Sequence, residues 1–173
     1  MRLAVGSDHA GFDLKRILKA ELAALGNDVT DLGTNDAVIS VDYPDYGAAV
    51  GRAVATGRAD LGICVCGTGS GIAMAANKVP GIRAAVVHDV TTAALAGQHN
   101  HANVVCFGAR TTGTTVVVDA LHAFLQAPHE PEGRNSRHLR RIEKLAALDG
   151  ASDRHGPDAQ RELVHHTAPE GTT

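Results

Sequence analysis

The sequence predicts an α/β fold in which a parallel, five-stranded sheet lies between two layers of helices. Near-continuous apolar runs alternate with segments of helical periodicity, and this alternation is typical of buried parallel strands joined by helices. Aromatic residues make up only 3% of the 173-residue chain and none is Trp, so Ala, Val, Leu and Ile must form the core. Small side chains of this kind allow helices to pack closely on a sheet.

Three strands and two helices are predicted in the first part of the chain. The strands cover Arg2–Ser7, Asp28–Leu32 and Leu61–Cys66. Between the first two, apolar residues recur at helical spacing from Leu14 to Leu25, and Gly26 is suited to end that helix. The second helix covers Tyr46–Thr56, and Pro44 is suited to its start because a first helical turn leaves its N–H groups unpaired.

The second part of the chain continues the alternation. Strands are predicted over Ile82–Val87 and Asn103–Phe107, and helices over Gly71–Lys78 and Val90–Gly97. Another helix follows the fifth strand, since Val117, Leu121 and Phe124 share one helical face. Ser136 is placed to cap a final helix that runs through Ala147.

Length and composition indicate one globular domain over residues 1–149, with 44% hydrophobic and 20% charged residues in the chain. After Gly150 small and polar residues dominate, which predicts a disordered tail over 150–173 with solvated histidines. The net charge of −3 argues against nucleic acid as a partner. No apolar stretch approaches the ~20 residues of a membrane span, and the N-terminus is strand-like, unlike a signal peptide. Three cysteines, two of them on one strand face, predict a reduced, cytoplasmic protein.

The segment around Cys66 carries the strongest chemical indication. Cys66 ends the third predicted strand, and Gly67-Thr68-Gly69-Ser70-Gly71 leads from it into a helix. Free N–H groups at a helix N-terminus bind anions, and their positive field favours a thiolate. A base beside a cradle for negative charge can remove a proton from carbon and hold the resulting enediolate. Because ligands bind at the carboxyl ends of parallel strands, the chemistry is expected at that edge of the sheet, with Asp8, His88 and Gly108.

Other interpretations of this segment stay open. A buried cysteine usually acts as a small apolar side chain, and the loop could be only a tight turn between strand and helix. It could also belong to a nucleotide site. However, a dinucleotide fingerprint would occupy the first strand-to-helix turn, and Gly6-Ser7-Asp8-His9-Ala10-Gly11 lacks its spacing.

Several polar residues are further candidates. Asp8 is a candidate cap of the following helix and, together with that or instead of it, a ligand of a sugar hydroxyl, and His9 is a candidate polar or phosphate contact. His99 is predicted in a loop just past a helix, where it is either a surface residue or a group suited to proton transfer near neutral pH. Arg137 and Arg141 share one helix face and can converge on one phosphate, unless they belong to a solvated basic face.

Taken together, these segments resemble the B-type ribose-5-phosphate isomerase family, which also contains galactose-6-phosphate and allose-6-phosphate isomerases. The matching segments stand in the family's order over residues 1–147. They are Gly6-Ser7-Asp8-His9-Ala10-Gly11, Asp42-Tyr43-Pro44, Cys66-Gly67-Thr68-Gly69-Ser70-Gly71, Ala75-Ala76-Asn77-Lys78, Gly81-Ile82-Arg83-Ala84, Gln98-His99-Asn100, Asn103-Val104, Phe107-Gly108-Ala109-Arg110 and Arg137-His138 with Arg141.

The resemblance implies a Rossmann-like α/β/α sandwich that forms a homodimer or homotetramer, with active sites at subunit interfaces and with no metal or organic cofactor. It implies that Cys66 moves a proton between C1 and C2 of the sugar and that His99 assists ring opening. It also implies that Asp8 helps bind the ring and that Thr68 lies where loop amides stabilise the enediolate. The remaining implied substrate-binding residues are His9, Tyr43, Gly67, Gly69, Ser70, Gly71, Asn100, Arg110, Arg137 and Arg141.

The chain departs from the family pattern at two places. Asn135-Ser136 precedes Arg137, where the family commonly has a glycine pair, and this makes Arg134 a further candidate for the phosphate. Some members use a glutamate just after the glycine loop. Here Ile72 stands in that region, so Cys66 keeps the role of the base.

The predicted activity is cofactor-free isomerisation of a phosphorylated aldose to a ketose, with ribose 5-phosphate favoured and the pentose phosphate pathway as its setting. Allose 6-phosphate, galactose 6-phosphate and a tetrose phosphate are alternatives, because all share the C1–C2 chemistry. A cysteine-dependent phosphatase would need an arginine in the loop, and the glycine loop contains none. The non-enzymatic alternative is a sugar-phosphate-binding regulator, which could not exchange a carbon-bound proton.

Overall fold

The computed structural model describes residues 1–128 and 137–149. The predicted tail over 150–173, Arg134 and the Ser136 cap lie outside these residues. The strands are β1 (Arg2–Ser7), β2 (Asp28–Asp31), β3 (Leu61–Cys66), β4 (Ala84–Val86) and β5 (Val104–Gly108). The helices are α1 (Phe12–Ala24), α2 (Tyr43–Ala55), α3 (Ser70–Ala76), α4 (Val90–Asn100), α5 (Thr114–Gln126) and α6 (Arg137–Asp149). Among the helices in the described ranges, none has both the length and the apolar character needed to cross a membrane.

The five strands form one parallel sheet in the order β2-β1-β3-β5-β4. The chain moves outward from β1 to β2 and then returns to place β3 on the other side of β1. The carboxyl ends of the central strands are level, because Ser7 pairs with Val65 and Cys66 pairs with Gly108. In open parallel sheets ligands bind beyond the carboxyl ends where the strand order reverses, which here is between β1 and β3.

Helices cover both faces of the sheet, so the predicted Rossmann-like α/β/α sandwich is confirmed. Alternate residues of a strand face opposite sides. Ile63 and Val65 of β3 pack on one side with α1, α4 and α5, and Cys64 and Cys66 pack on the other with α2 and α3. The predicted placement of the two cysteines on one strand face is therefore confirmed.

Several elements differ in their bounds from the sequence prediction: α2 begins at Tyr43 and not at Tyr46, and β2 and α3 are each one residue shorter than predicted. Strand β4 is shorter than Ile82–Val87, and α4 continues past Gly97 to Asn100. Gly97 is buried inside the helix, and His101, at a φ of 50°, is the left-handed residue that ends it. His99 therefore lies in the last helical turn and not in a loop as predicted.

Candidate active site

Cys66 lies at the end of β3, where the strand leaves the sheet. It is 4% exposed, whereas Cys64 and Cys106 deeper in the same layer are 0% exposed. The Gly69 N–H donates a hydrogen bond to the Cys66 Sγ over 3.1 Å. A hydrogen-bond donor at the sulfur would stabilise negative charge there, as a base at this position requires.

The glycine loop turns tightly from Cys66 into α3. Gly69 has a φ of +80°, and a Cβ there would lie 3.0 Å from the Phe107 carbonyl carbon, so the turn requires glycine. The Ser70 N–H donates a hydrogen bond to the Thr68 Oγ1 at 3.4 Å. Since Gly69 and Ser70 already donate within the loop, the N–H groups of Gly71 and Ile72 in the first turn of α3 are the donors best placed for an anion.

The turn after β1 brings Asp8 to the same edge. The Asp8 Oδ1 accepts from the Gly11 N–H at 3.0 Å, so the capping interpretation of Asp8 is confirmed. A Cβ at Gly11 would lie 2.6 Å from the Val65 carbonyl oxygen. Because the turn lies directly against the end of β3, Asp8 is held beside the strand that ends at Cys66.

His9 has a defined tautomer. Its Nδ1 receives the Val41 N–H at 3.2 Å. Because a backbone N–H can only donate, Nδ1 is the unprotonated nitrogen, and the ring proton of the neutral side chain lies on Nε2. His9 therefore offers one N–H donor, as a contact to a phosphate or hydroxyl oxygen requires.

Tyr43 and Arg110 flank the glycine loop. A Cβ at Gly71 would lie 2.7 Å from the Tyr43 Cζ, so the aromatic ring lies directly against the start of α3. The Arg110 side chain lies over Gly67: a Cβ added to Gly67 would be 3.6 Å from the Arg110 Nη1. Both side chains are exposed, and they place an aromatic face and a positive charge beside the loop.

A second group of candidate residues lies at the opposite edge of the sheet. Helix α4 begins beyond the carboxyl end of β4 and returns to the amino end of β5, and its 11 residues span about 16 Å. His99 and Asn100 in its last turn are therefore at the amino edge. Asn100 lines a cavity of 430 Å³ there, together with Arg83, Leu145 and Asp149.

Helix α6 joins this second group. The His138 ring stacks on the His99 ring, with 4.3 Å between ring centroids and 9° between planes. Arg137 and Arg141 are exposed on the same helix. At the other end of α6 the Gly81 N–H donates to the Asp149 Oδ2 at 2.8 Å, so the helix is held at both ends.

The charges around His138 affect its protonation. Partial burial lowers the pKa of His138, and the positive charges of His99, Arg137 and Arg141 lower it further. His138 is therefore biased towards the neutral form. His138 lies in a segment that resembles the family, but stacking between rings on two helices leaves no sequence pattern, so the sequence predicts no role for it.

The structure thus divides the predicted site residues into two groups within one chain. The carboxyl-edge group consists of Asp8, His9, Tyr43, Cys66, Gly67, Thr68, Gly69, Ser70, Gly71 and Arg110. The amino-edge group consists of His99, Asn100, Arg137 and Arg141. The two are separated by the length of the central strands, about 15–20 Å.

Comparisons with known proteins point to one family. A family model described as ribose/galactose isomerase matches residues 3–145. Ribose-5-phosphate isomerase B of Escherichia coli is 42% identical over 86% of this chain and 96% of its own length. Galactose-6-phosphate isomerase subunit LacB of Clostridium acetobutylicum is 41% identical over 86% of each chain.

Solved structures show the same similarity in three dimensions. Ribose-5-phosphate isomerase B of Clostridium thermocellum superimposes with a TM-score of 0.83 at 41% identity, covering 88% of this chain and 99% of that one. The Mycoplasma genitalium ribose-5-phosphate isomerase B, solved with bound ribulose 5-phosphate, gives a TM-score of 0.80 at 41% identity. This superposition covers 86% of this chain and 96% of the Mycoplasma genitalium chain.

Proposed function

The chain belongs to the ribose/galactose isomerase family and is an aldose–ketose isomerase of phosphorylated sugars, and we propose that it interconverts ribose 5-phosphate and ribulose 5-phosphate. The main observation that supports this chemistry is the hydrogen bond that the Gly69 N–H donates to the Cys66 Sγ at the end of β3. It supports a thiolate base directly beside the amides of the glycine loop. The Mycoplasma genitalium relative with bound ribulose 5-phosphate supports the choice of a pentose.

Ring opening comes first in the proposed mechanism. Ribose 5-phosphate is mainly a closed furanose, so the C1 aldehyde must be released before any proton leaves C2. His99 donates a proton to the ring oxygen, the C1–O4 bond breaks, and the proton of the anomeric hydroxyl passes to solvent water, from which His99 is reprotonated. Asp8, whose Oδ1 is held by the Gly11 N–H, has its carboxylate fixed to orient a sugar hydroxyl.

Proton transfer between the two carbons follows. The Cys66 thiolate removes the C2 proton, and the electron pair passes to O1 to form an enediolate. The free N–H groups at the start of α3 hold this charge, and such a donor typically stabilises a transition state by about 3 kcal/mol. The Cys66 thiol then returns the proton to C1 while a proton moves from O2 to O1, which yields the ketose.

The phosphate needs donors at some distance from Cys66. His9 presents its Nε2–H, since Val41 occupies Nδ1. Arg137 and Arg141 stand four residues apart on α6 and suit the same dianion. These donors come from opposite edges of the sheet in one chain, so the complete site takes Cys66 and His9 from one copy and His99 and the arginines from a second copy.

A hexose 6-phosphate is the second candidate substrate. The galactose-6-phosphate isomerase subunit and the E. coli ribose-5-phosphate isomerase are almost equally similar to this chain, at 41% and 42% identity. The C1–C2 chemistry is the same for both sugars. Overall identity therefore favours neither, and the length of the sugar must be measured directly.

Solvent exchange tests the proposal. In heavy water, NMR should show deuterium entering C2 of ribose 5-phosphate and ribulose 5-phosphate accumulating, because the proton on Cys66 exchanges with solvent before it returns. Allose 6-phosphate, galactose 6-phosphate and erythrose 4-phosphate serve as the comparison panel. Faster exchange on a six-carbon sugar would overturn the pentose assignment, and a lack of exchange on every aldose phosphate would overturn the isomerase chemistry at Cys66.

A further inference from the structure

We propose that His138 is a positioning residue for His99: its ring stacks on the His99 ring and fixes the plane in which His99 donates a proton during ring opening. This inference rests on the proposed function, because it needs His99 to act on the furanose. Nothing in the family resemblance assigns His138 such a part.

The geometry provides the first argument. His99 lies in the last turn of α4, one residue from the helix end, and terminal turns are the part of a helix most prone to fray. The nearly parallel rings, at 4.3 Å, leave His99 little freedom to rotate about its Cβ–Cγ bond. The N–H groups of an imidazole lie in the ring plane, and hydrogen bonds weaken as they bend. Fixing the plane therefore fixes the direction of proton donation.

Charge provides the second argument. Two stacked imidazolium ions would repel each other, so a neutral ring suits the His138 side of the stack. Arg137 and Arg141 add positive charge next to His138, and together with partial burial they lower its pKa. His138 is thus biased towards the neutral form, in which it offers His99 a flat, uncharged ring.

The helix that carries His138 provides the third argument. Arg137, His138 and Arg141 belong to the first turns of α6, so the phosphate ligands and the ring that supports His99 move as one rigid element. A sugar phosphate held by the arginines would then be presented to His99 at a constant distance. Misplacing a reacting group by about 1 Å can cost a hundredfold in rate.

The test separates ring opening from proton transfer. Ribose 5-phosphate must be opened, but ribulose 5-phosphate has its O5 phosphorylated and stays open, so deuterium exchange at its C1 needs only Cys66 and the loop. We expect His138→Ala and His138→Leu to slow isomerisation of ribose 5-phosphate about tenfold, with C1 exchange of ribulose 5-phosphate within about twofold of wild type. His138→Phe keeps a flat ring and should recover isomerisation to within about threefold.

Lys144→Ala provides the matched control, because Lys144 is an exposed residue of the same helix. Equal losses in isomerisation and C1 exchange in the folded His138 variants would show a merely structural role and overturn the inference, as would unchanged isomerisation in both His138→Ala and His138→Leu. Circular dichroism identifies a variant that fails to fold. If His138→Ala does not fold, His138→Leu decides the test, because leucine keeps much of the volume of the histidine side chain. A wild-type protein without C1 exchange would instead refute the proposed function itself.

Discussion

Cys66 differs from the two neighbouring cysteines in what surrounds its sulfur. Burial raises the pKa of the Cys106 thiol well above its ordinary value, and a hydrogen bond with Cys64 and the charges of Cys64 and Cys66 add to the effect. Cys106 therefore stays protonated. Cys66 stands at the end of the strand and receives the Gly69 N–H, so among the three free thiols it is the one suited to act as a base.

Replacing Cys66 by serine tests this assignment. A serine hydroxyl is far less acidic than a thiol, so Cys66→Ser should lower kcat at least about a hundredfold, the usual contribution of a general base. Binding of ribulose 5-phosphate, followed by calorimetric titration, should change little because the phosphate donors are intact. Cys64→Ala is the matched control and should keep kcat within about threefold of wild type. Turnover near the wild-type value in Cys66→Ser would make the base assignment wrong.

At the scale of elements, a buried lysine joins α1 to the end of β2. Lys15 is 1% exposed, and its Nζ contacts the Asp31 Oδ1 at 2.9 Å and the Thr34 carbonyl oxygen at 2.6 Å. The other Asp31 oxygen binds the Lys19 Nζ at 2.8 Å. The loop held in this way leads towards Val41, whose N–H sets the tautomer of His9. The ion cluster thus stabilises the fold and supports one side of the site.

Removing the carboxylate of this cluster should destabilise the fold. Asp31→Asn leaves the buried Lys15 without its counter-charge, and the free energy of unfolding, measured by urea titration at pH 7, should fall by about 3 kcal/mol. Asp13→Asn is the control, because the Asp13–Arg16 pair lies at the surface at 3.7 Å and should cost less than about 1 kcal/mol. Equal effects of the two substitutions would contradict the structural role of the cluster.

The same carboxylate predicts how this difference depends on pH. Burial by itself would raise the pKa of Asp31, but hydrogen bonds from Lys19, Lys15 and the Gly33 N–H bring it below its ordinary value of 3.8. A lowered pKa in the folded state stabilises the fold above the unfolded-state value, and that stabilisation disappears as the pH falls through the folded-state value. The difference in the free energy of unfolding between wild type and Asp31→Asn should therefore be complete at pH 7 and shrink below pH 3.8. A gap that grows on acidification would contradict this.

At the scale of the whole molecule, the distance between the two groups of site residues leads us to expect that the proposed site combines residues of two copies of the chain. Helix α4 carries His99 to the amino edge, and β3 carries Cys66 to the carboxyl edge. No rotation of a side chain spans about 15 Å. In two copies related by a two-fold axis, the carboxyl-edge group of each copy can combine with the amino-edge group of the other, which forms two equivalent sites.

Complementation between inactive variants tests this arrangement. In a mixed dimer of Cys66→Ser and His99→Asn, one site receives both wild-type groups and the other receives neither. Co-expressed variants should therefore regain about a quarter of wild-type activity if subunits pair at random, whereas each variant alone stays inactive. The mixed dimer can be isolated with two affinity tags and assayed with ribose 5-phosphate. A mixed dimer that is as inactive as its parents would show that each chain uses its own His99.

Much of the fold was predictable because its signals are local. The bounds of Arg2–Ser7 and Leu61–Cys66 match the observed strands, since each is an apolar run that ends at turn-forming residues. The end of α4 was not predictable in the same way. Gly97 has the sequence character of a helix terminator, but it packs in the interior, and His101 takes the left-handed conformation instead. Tertiary packing there outweighed intrinsic preference.

The sequence by itself determined the alternation of strands and helices, the family, and the placement of a thiol before a glycine loop, because all of these depend on residue type and short-range spacing. Only the tertiary structure decided that Gly69 donates to the Cys66 sulfur, that Val41 sets the tautomer of His9, and that His138 stacks on His99. Each of these contacts joins groups whose approach depends on chain direction and packing. The separation of Cys66 and His99 has the same origin, since a parallel sheet requires every connecting helix to return from the carboxyl edge to the amino edge.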